Sequence, residues 1–422
     1  MKFYKSTLKN GLRVITVPNK DSLSVTALVM VEAGSKYENK NLNGISHFLE
    51  HMCFKGTTRR PKAIDISREL DSIGSQYNAF TSQEFTGYYA KAHPKHFKKI
   101  IDVVSDLYLN PVFPEKELEK EKGVIIEEIN MYEDTPQRHV YDLFMSLLYG
   151  DQPAGWNIAG TREIVRKMKR EDFVKYRNEN YLAGTTIIIL SGKFDQKEAM
   201  KAIKKTFGDL LDKKRKNKVA VIESQNSPKI LIKEKNTDQT HIILGVRTFP
   251  IKSPKAPVLK VLNTVLGSGM SSRLFQKLRE EMGVGYYVKS FTDEYTDHGY
   301  LGVSCGVDKN RVEEVVKAIL EEFRKLKTQL VSEEELRKAK DYIVGNLYLG
   351  LETSDALAEF YGYQEVLKHS LKTPKDLVKE IKTISATSVQ RIAKEIFQDK
   401  KLNIALIGRI KDEKNLRKIL KV

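Results

Sequence analysis

The chain has 422 residues, 41% of them hydrophobic, enough for at least two cored domains and against intrinsic disorder. Its formal charge of +17 raises nucleic acid or an anionic membrane surface as a partner, but the lysines are dispersed among acids, as in EKELEKEKG, without a zinc-finger or RNP-like pattern, so neither is expected. Only Cys53 and Cys305 occur, which excludes a disulfide framework or CxxC knuckle; with no apolar run of membrane-spanning length and no signal-like N-terminal core, a cytoplasmic protein is expected.

TLKNGLRVITV alternates around Asn10-Gly11 and reads as a hairpin. SVTALVMVEAG follows as a buried strand, and a helix is expected from Ile45 to Phe54. AIDISRELDSIG reads as an amphipathic helix stopped by Gly74, and SQYNAFTSQEFTGYYAKA as two strands joined by a short turn. A helix over 95–109 closes this unit, and Pro111 and Pro114 lead into a long charged helix over 115–132.

The second half repeats the first. EKELEKEKGVIIEEINMYEDT at 115–135 aligns with EEELRKAKDYIVGNLYLGLET at 333–353, a constant offset of 218. YLAGTTIIILSGKFDQKEAMKAIKK and KKLNIALIGRIKDEKNLRKIL each run helix, apolar strand, glycine, helix. One α+β unit present twice is the expectation: 1–212 as the first domain, 213–229 as a charged linker and 230–422 as the second domain. At the same offset His47, His51, Glu121 and Glu128 face Val265, Gly269, Ala339 and Asn346, so only the first half has metal-ligand chemistry.

That chemistry starts in GISHFLEHMCFKGT. Positions i and i+4 of a helix share a face, so the imidazoles of His47 and His51 converge on one ion, and Glu50 is the residue just before His51. HxxEH is HExxH read backwards, presenting the same groups from a helix of reversed direction. A catalytic zinc needs a third protein ligand and an open position. Cys53 falls on the far side of the helix and reads as core. The remaining histidines lack ligand spacing, which leaves the carboxylates of the 115–135 helix, where Glu121 and Glu128 share a face and Glu127 points elsewhere.

HFLEH, followed by NAFTSQEFTGYY and EKGVIIEEINMYEDTP, resembles the inverted-motif zinc peptidases of the pitrilysin, insulin-degrading enzyme and mitochondrial processing peptidase family, in its short two-unit form. The resemblance implies an α+β fold of two homologous α/β-roll units, each a mixed, mostly antiparallel sheet with helices packed on one face. It implies Glu128 as third ligand, 77 residues past His51, with Glu121 as a supporting glutamate. It further implies one Zn²⁺ per chain, Glu50 as general base, and a metalloendopeptidase acting on oligopeptides or unfolded proteins. Asn78, Ala79, Phe80 and Thr81 match the family's edge strand, where an extended substrate adds as a further strand. Arg279 and Tyr286 match its Arg–Tyr pair, which grips the substrate and stabilises the oxyanion. A short member carrying both sets is expected to close its chamber as a homodimer. The alternative is a noncatalytic scaffold or partner subunit of the same fold.

Overall fold

The computed structural model describes residues 2–215, 217–285, 287–410 and 413–422. The Asn10-Gly11 turn joins β1 (Tyr4–Thr7) to β2 (Arg13–Pro18), with Gly11 at φ 82°, a conformation open to a residue without Cβ. β3 (Val25–Val31), β4 (Gln76–Thr81), β5 (Thr86–Ala92) and β6 (Thr186–Gly192) complete a six-stranded sheet in the order β1-β2-β6-β3-β5-β4. Only the β2–β6 pair is parallel. The second sheet holds β7 (Lys229–Lys233), β8 (Gln239–Arg247), β9 (Tyr287–Glu294), β10 (Gly299–Asp308) and β11 (Asn403–Ile407), in the order β7-β11-β8-β10-β9 with β7–β11 parallel. Apart from β1, the two orders are the same topology, which is the duplication expected from the repeat.

The first half carries helices α1 (Ile45–Cys53), α2 (Ala63–Asp71), α3 (Phe97–Leu109), α4 (Glu115–Asp134), α5 (Pro136–Tyr149), α6 (Arg162–Lys167), α7 (Arg170–Asn180) and α8 (Gln196–Phe207). The second carries α9 (Ala256–Gly267), α10 (Val312–Thr328), α11 (Glu333–Leu349), α12 (Ser354–Lys368), α13 (Pro374–Lys382), α14 (Ala386–Ile396) and α15 (Glu413–Ile419). The 218-residue offset holds for α4 and α11, which begin at Glu115 and Glu333, but not for the preceding helices. There α1 ends at Cys53 and α9 at Gly267, 214 apart, and Gly269 lies beyond its helix at φ 84°. At this second register His47 and His51 face Val261 and Val265, so neither alignment places a metal ligand in the second half.

The chain divides into two compact units that are discontinuous in sequence. One comprises 1–130, 157–219 and 348–374, the other 131–156, 220–347 and 375–422. The expected linker at 213–229 is shared between them, and each unit takes one helix from the opposite half of the sequence. In the first, Ala27, Val29 and Val31 of β3 join the core formed with α1, α3 and α8. On the other face Leu28 and Met30 meet Gly362 of α12. In the second, Ile242, Leu244 and Val246 of β8 pack with α9, α10 and α14, whereas Ile243 packs with Val140, Phe144 and Leu148 of α5. Covering both faces explains why β3 and β6 are buried along their whole length, with continuous apolar runs at Ala27–Val31 and Ile187–Leu190 rather than alternating ones.

Gly245 of β8 marks how closely α5 and β10 approach: a Cβ there would lie 2.1 Å from the Leu301 carbonyl oxygen and 2.9 Å from the Phe144 ring. Gly245→Ala is therefore expected to destabilise the second unit by about 1–3 kcal/mol, as overpacking does, seen as a lowered melting temperature by calorimetry.

Candidate metal centre and active site

The helix carrying HFLEH is built to leave one stripe of side chains uncommitted. Ile45, Phe48, Leu49, Met52 and Cys53 are fully buried in the first core, and His47, Glu50 and His51 occupy the remaining face. Cys53 is core, as expected: its sulfur lies 3.5 Å from the Tyr88 hydroxyl, and burial pushes its thiol up to about 12, far from a thiolate ligand.

The N-terminus of α1 is held by a residue the sequence reading did not single out. Gly44 begins the helix at φ 100° and has no side chain to cap it. The buried Glu38 carboxylate does so instead, accepting from the Gly44 and Ser46 amides at 2.7 and 2.8 Å and from Asn43 Nδ2 at 3.0 Å. Burial raises the Glu38 pKa to about 7 against the opposing effect of these donors. Ser46 Oγ lies 2.7 Å from the Tyr176 hydroxyl of α7. No periodicity or motif in GSKYENKN marks Glu38, because its partners are backbone amides six and eight residues away.

Helix α4 buries Leu118, Glu121, Ile125 and Ile129 along one face. Glu121 accepts from His51 Nδ1 at 2.9 Å and from Lys55 Nζ at 2.6 Å. Burial would raise its pKa, but these two donors outweigh that and hold it below the usual carboxylate range. With His51 Nδ1 committed, Nε2 is the atom left to bind an ion, the arrangement by which an outer carboxylate fixes a histidine ligand. Lys55 stands four residues after His51, a spacing that helical periodicity could have picked out.

Glu128 Oε2 lies 3.6 Å from His47 Nε2 and 3.7 Å from His51 Nε2. These separations are too long for hydrogen bonds. They approach the ~3.3 Å edge of a tetrahedron with zinc-to-ligand bonds of about 2.0–2.1 Å. Among the described residues, His47, His51 and Glu128 form the one group of three that could hold a metal ion. Their side chains are 13%, 23% and 20% exposed, so the centre is partly open to solvent. The donor set, two imidazoles and one carboxylate, fits zinc.

Burial and the nearby His51 lower the His47 pKa to about 4. Burial would lower that of His51 as well, but the Glu121 hydrogen bond and the charges of Glu50, Glu121 and Glu128 together raise it. Burial raises Glu50, whose Oε2 accepts from the Thr81 hydroxyl at 2.6 Å.

The remaining expected site residues fall in different places. Asn78 is exposed on β4, and its Oδ1 accepts from the Ala79 amide at 2.9 Å. Ala79 packs against the first core. Phe80 lies on the opposite face over Gly87, against the Tyr363 ring of α12, so its side chain serves packing. Arg279 is in the second unit, exposed in a π-helical turn over Phe275–Glu281, with its guanidinium 5.6 Å from the Phe275 ring. Tyr286 lies outside the described residues.

Residues 13–162 match the family model for insulinase (peptidase family M16), and residues 167–343 match the peptidase M16 inactive domain. An uncharacterized zinc protease of Bacillus subtilis, YmxG, is 35% identical over 394 residues, spanning 93% of this chain and 95% of that one. The chain belongs to peptidase family M16. An uncharacterized zinc protease of Streptomyces coelicolor is 30% identical, covering 98% of this M16 chain and 91% of its own length. Among solved structures, a protease from Helicobacter pylori superimposes with a TM-score of 0.91 over 97% of this chain and 99% of that one, at 23% identity. A peptidase M16 inactive domain from Pseudomonas fluorescens gives 0.90 over 98% and 100%, at 16% identity. At those identities the likeness establishes the fold, here the M16 fold.

Two predictions follow from the electrostatics. Because the folded pKa of His51 is raised and that of His47 is about 4, only His51 competes with the metal for a proton near neutrality. Zinc affinity is expected to rise with pH through the His51 transition, measured by calorimetric titration in buffers of different ionisation enthalpy; an affinity independent of pH across that transition would contradict it. Glu121→Gln is expected to weaken zinc binding about 10- to 100-fold in a competition assay with a chromogenic chelator.

Proposed function

We propose that this M16 chain is a zinc-dependent endopeptidase acting on oligopeptides or unfolded proteins. The observation that carries the reading is the convergence of three donor atoms, unbonded to one another, beside a glutamate on the same helix. His47, His51 and Glu128 would hold the ion, which when bound supplies Lewis acidity toward a peptide carbonyl and lowers the pKa of water. Glu121 keeps His51 in the tautomer that presents Nε2. Glu50 takes a proton from the attacking water and returns it to the leaving amine, acting first as base and then as acid. Its raised pKa suits the second task, since a carboxyl of higher pKa holds a proton closer to neutral pH. The exposed edge of β4 supports main-chain pairing with an extended peptide, in which Asn78 must give up its bond to the Ala79 amide.

Arg279 and Tyr286 are assigned to the oxyanion and substrate backbone on the family resemblance. A homodimeric chamber in the cytoplasm is part of the same proposal, supported by one chain carrying both the HxxEH set and Arg279. The noncatalytic-subunit reading has one observation behind it, the match of 167–343 to an inactive domain. That match coexists with a first half that keeps all four residues of the centre.

Glu50→Gln is expected to retain one zinc per chain by elemental analysis while peptide hydrolysis falls about a hundred- to ten-thousandfold, the usual contribution of general acid–base catalysis. Mass spectrometry of a quenched peptide library reads turnover and cut sites together. A Glu50→Gln variant with full, chelator-sensitive turnover would sink the assignment.

A further inference from the structure

Strand β4 alternates, so Thr81 shares a face with Tyr77 and Ala79, the side packed toward the core that includes α1. Its hydroxyl reaches Glu50 Oε2 at 2.6 Å and lies 3.4 Å from the hydroxyl of Thr86, its partner across β5. Thr86 Oγ1 lies 2.8 Å from the carbonyl oxygen of Ala33, which can only accept, so the single Thr86 proton is used there. Thr86 therefore has no proton for Thr81 and can only receive one at the longer distance. The Thr81 proton goes to Glu50, where both the distance and the acceptor are better.

The strand end that presents this hydroxyl is fixed from behind. The turn after β4 docks on residues 34–36, with the Ser35 amide donating to the Ser82 carbonyl at 3.3 Å and the Lys36 amide to the Gln83 carbonyl at 2.8 Å. Lys36 Nζ pairs with Glu84 at 3.0 Å, both side chains being essentially inaccessible. A Cβ on Gly34 would lie 2.2 Å from the Ser82 oxygen, so this approach requires glycine there.

We propose that Thr81 is a positioning residue for Glu50, holding Oε2 so that Oε1 is the oxygen that carries the proton between water and leaving amine. This deepens the peptidase reading and rests on it. It separates two tasks of the NAFT strand: the backbone edge of β4 takes the substrate, whereas the Thr81 side chain, turned inward, sets the orientation of the base. An extended peptide added to β4 thereby forms on the same strand that fixes Glu50.

The test compares Thr81→Val, which keeps the branched shape and loses the donor, with Thr81→Ser, which keeps the donor. Thr81→Val is expected to lower kcat about 10- to 100-fold, the effect of losing one hydrogen bond to a charged group. KM, zinc content and the melting temperature are expected to stay within twofold or a few degrees, and Thr81→Ser to recover most of kcat. Binding of a fluorescent, uncleaved peptide to zinc-free protein is expected to be equal in wild type and Thr81→Val. A crystal structure of Thr81→Val is expected to show the Glu50 carboxylate turned from its wild-type orientation. An unchanged kcat, a loss residing in KM or peptide affinity, a Thr81→Ser variant as impaired as Thr81→Val, or an unmoved Glu50 would each overturn the proposal. If wild type itself cleaves nothing, the peptidase reading fails instead, and the Glu50 orientation in the crystal still decides what Thr81 does.

Discussion

Glu121 is the buried carboxylate on which the centre depends. It comes from α4, and both of its hydrogen-bond donors, His51 and Lys55, come from α1 or the residues just after it. One buried acid thus joins the two elements that carry the three donor atoms and decides which nitrogen of His51 is presented. Buried ion pairs are weak stabilisers because desolvation offsets much of their attraction. Their value here is geometric: two donors on one acid fix the register of α4 against α1 more narrowly than apolar side chains sliding past each other can.

The same pattern recurs around the site. Glu38 caps a helix whose N-cap residue, Gly44, has no side chain, and the Lys36–Glu84 pair seats the turn that ends the edge strand. Each of these charges is spent on a backbone position rather than on catalysis. Gly34 and Gly44 perform the complementary task by removing a Cβ where two backbones meet, 2.2 Å from Ser82 and 2.6 Å from Ala159 respectively. The site is therefore carried by close backbone packing and a few carboxylates with several partners, which leaves His47, Glu50 and Glu128 partly open to solvent.

Among the described residues, only the first of the two copies of the fold carries such a centre. Apart from β1, both sheets have the same order and the same single parallel pair, and both are covered on two faces, one by helices of their own half and one by a helix from the other. In the second copy, with α9 set against α1, Val261 and Val265 stand where the histidines would be, and Asn346 stands where Glu128 would be, so its frame survives without the ligands. That exchange of α5 and α12 makes each compact unit discontinuous, which a boundary sought along the chain at 213–229 does not reveal.

The residues themselves determined a good deal: the hairpin at Asn10-Gly11, the extent of α1 and α4 to within two residues, the repeat, and the shared face of His47 and His51. These are local regularities, set by turn chemistry and by periods of 3.6 and 2, and they are written in neighbouring residues. The choice between Glu121 and Glu128 was not local. Both lie on one face of α4, and periodicity cannot say which carboxylate meets two imidazoles from a helix some 70 residues earlier in the chain; only resemblance anticipated it. Tertiary structure decided that Glu121 bonds Nδ1 of His51 while Glu128 faces both Nε2 atoms, that the Phe80 ring of the edge strand lies over Gly87, and that Glu38 and Thr81 flank the helix. Each depends on the distance between segments far apart in sequence, a quantity that exists only once the chain has packed.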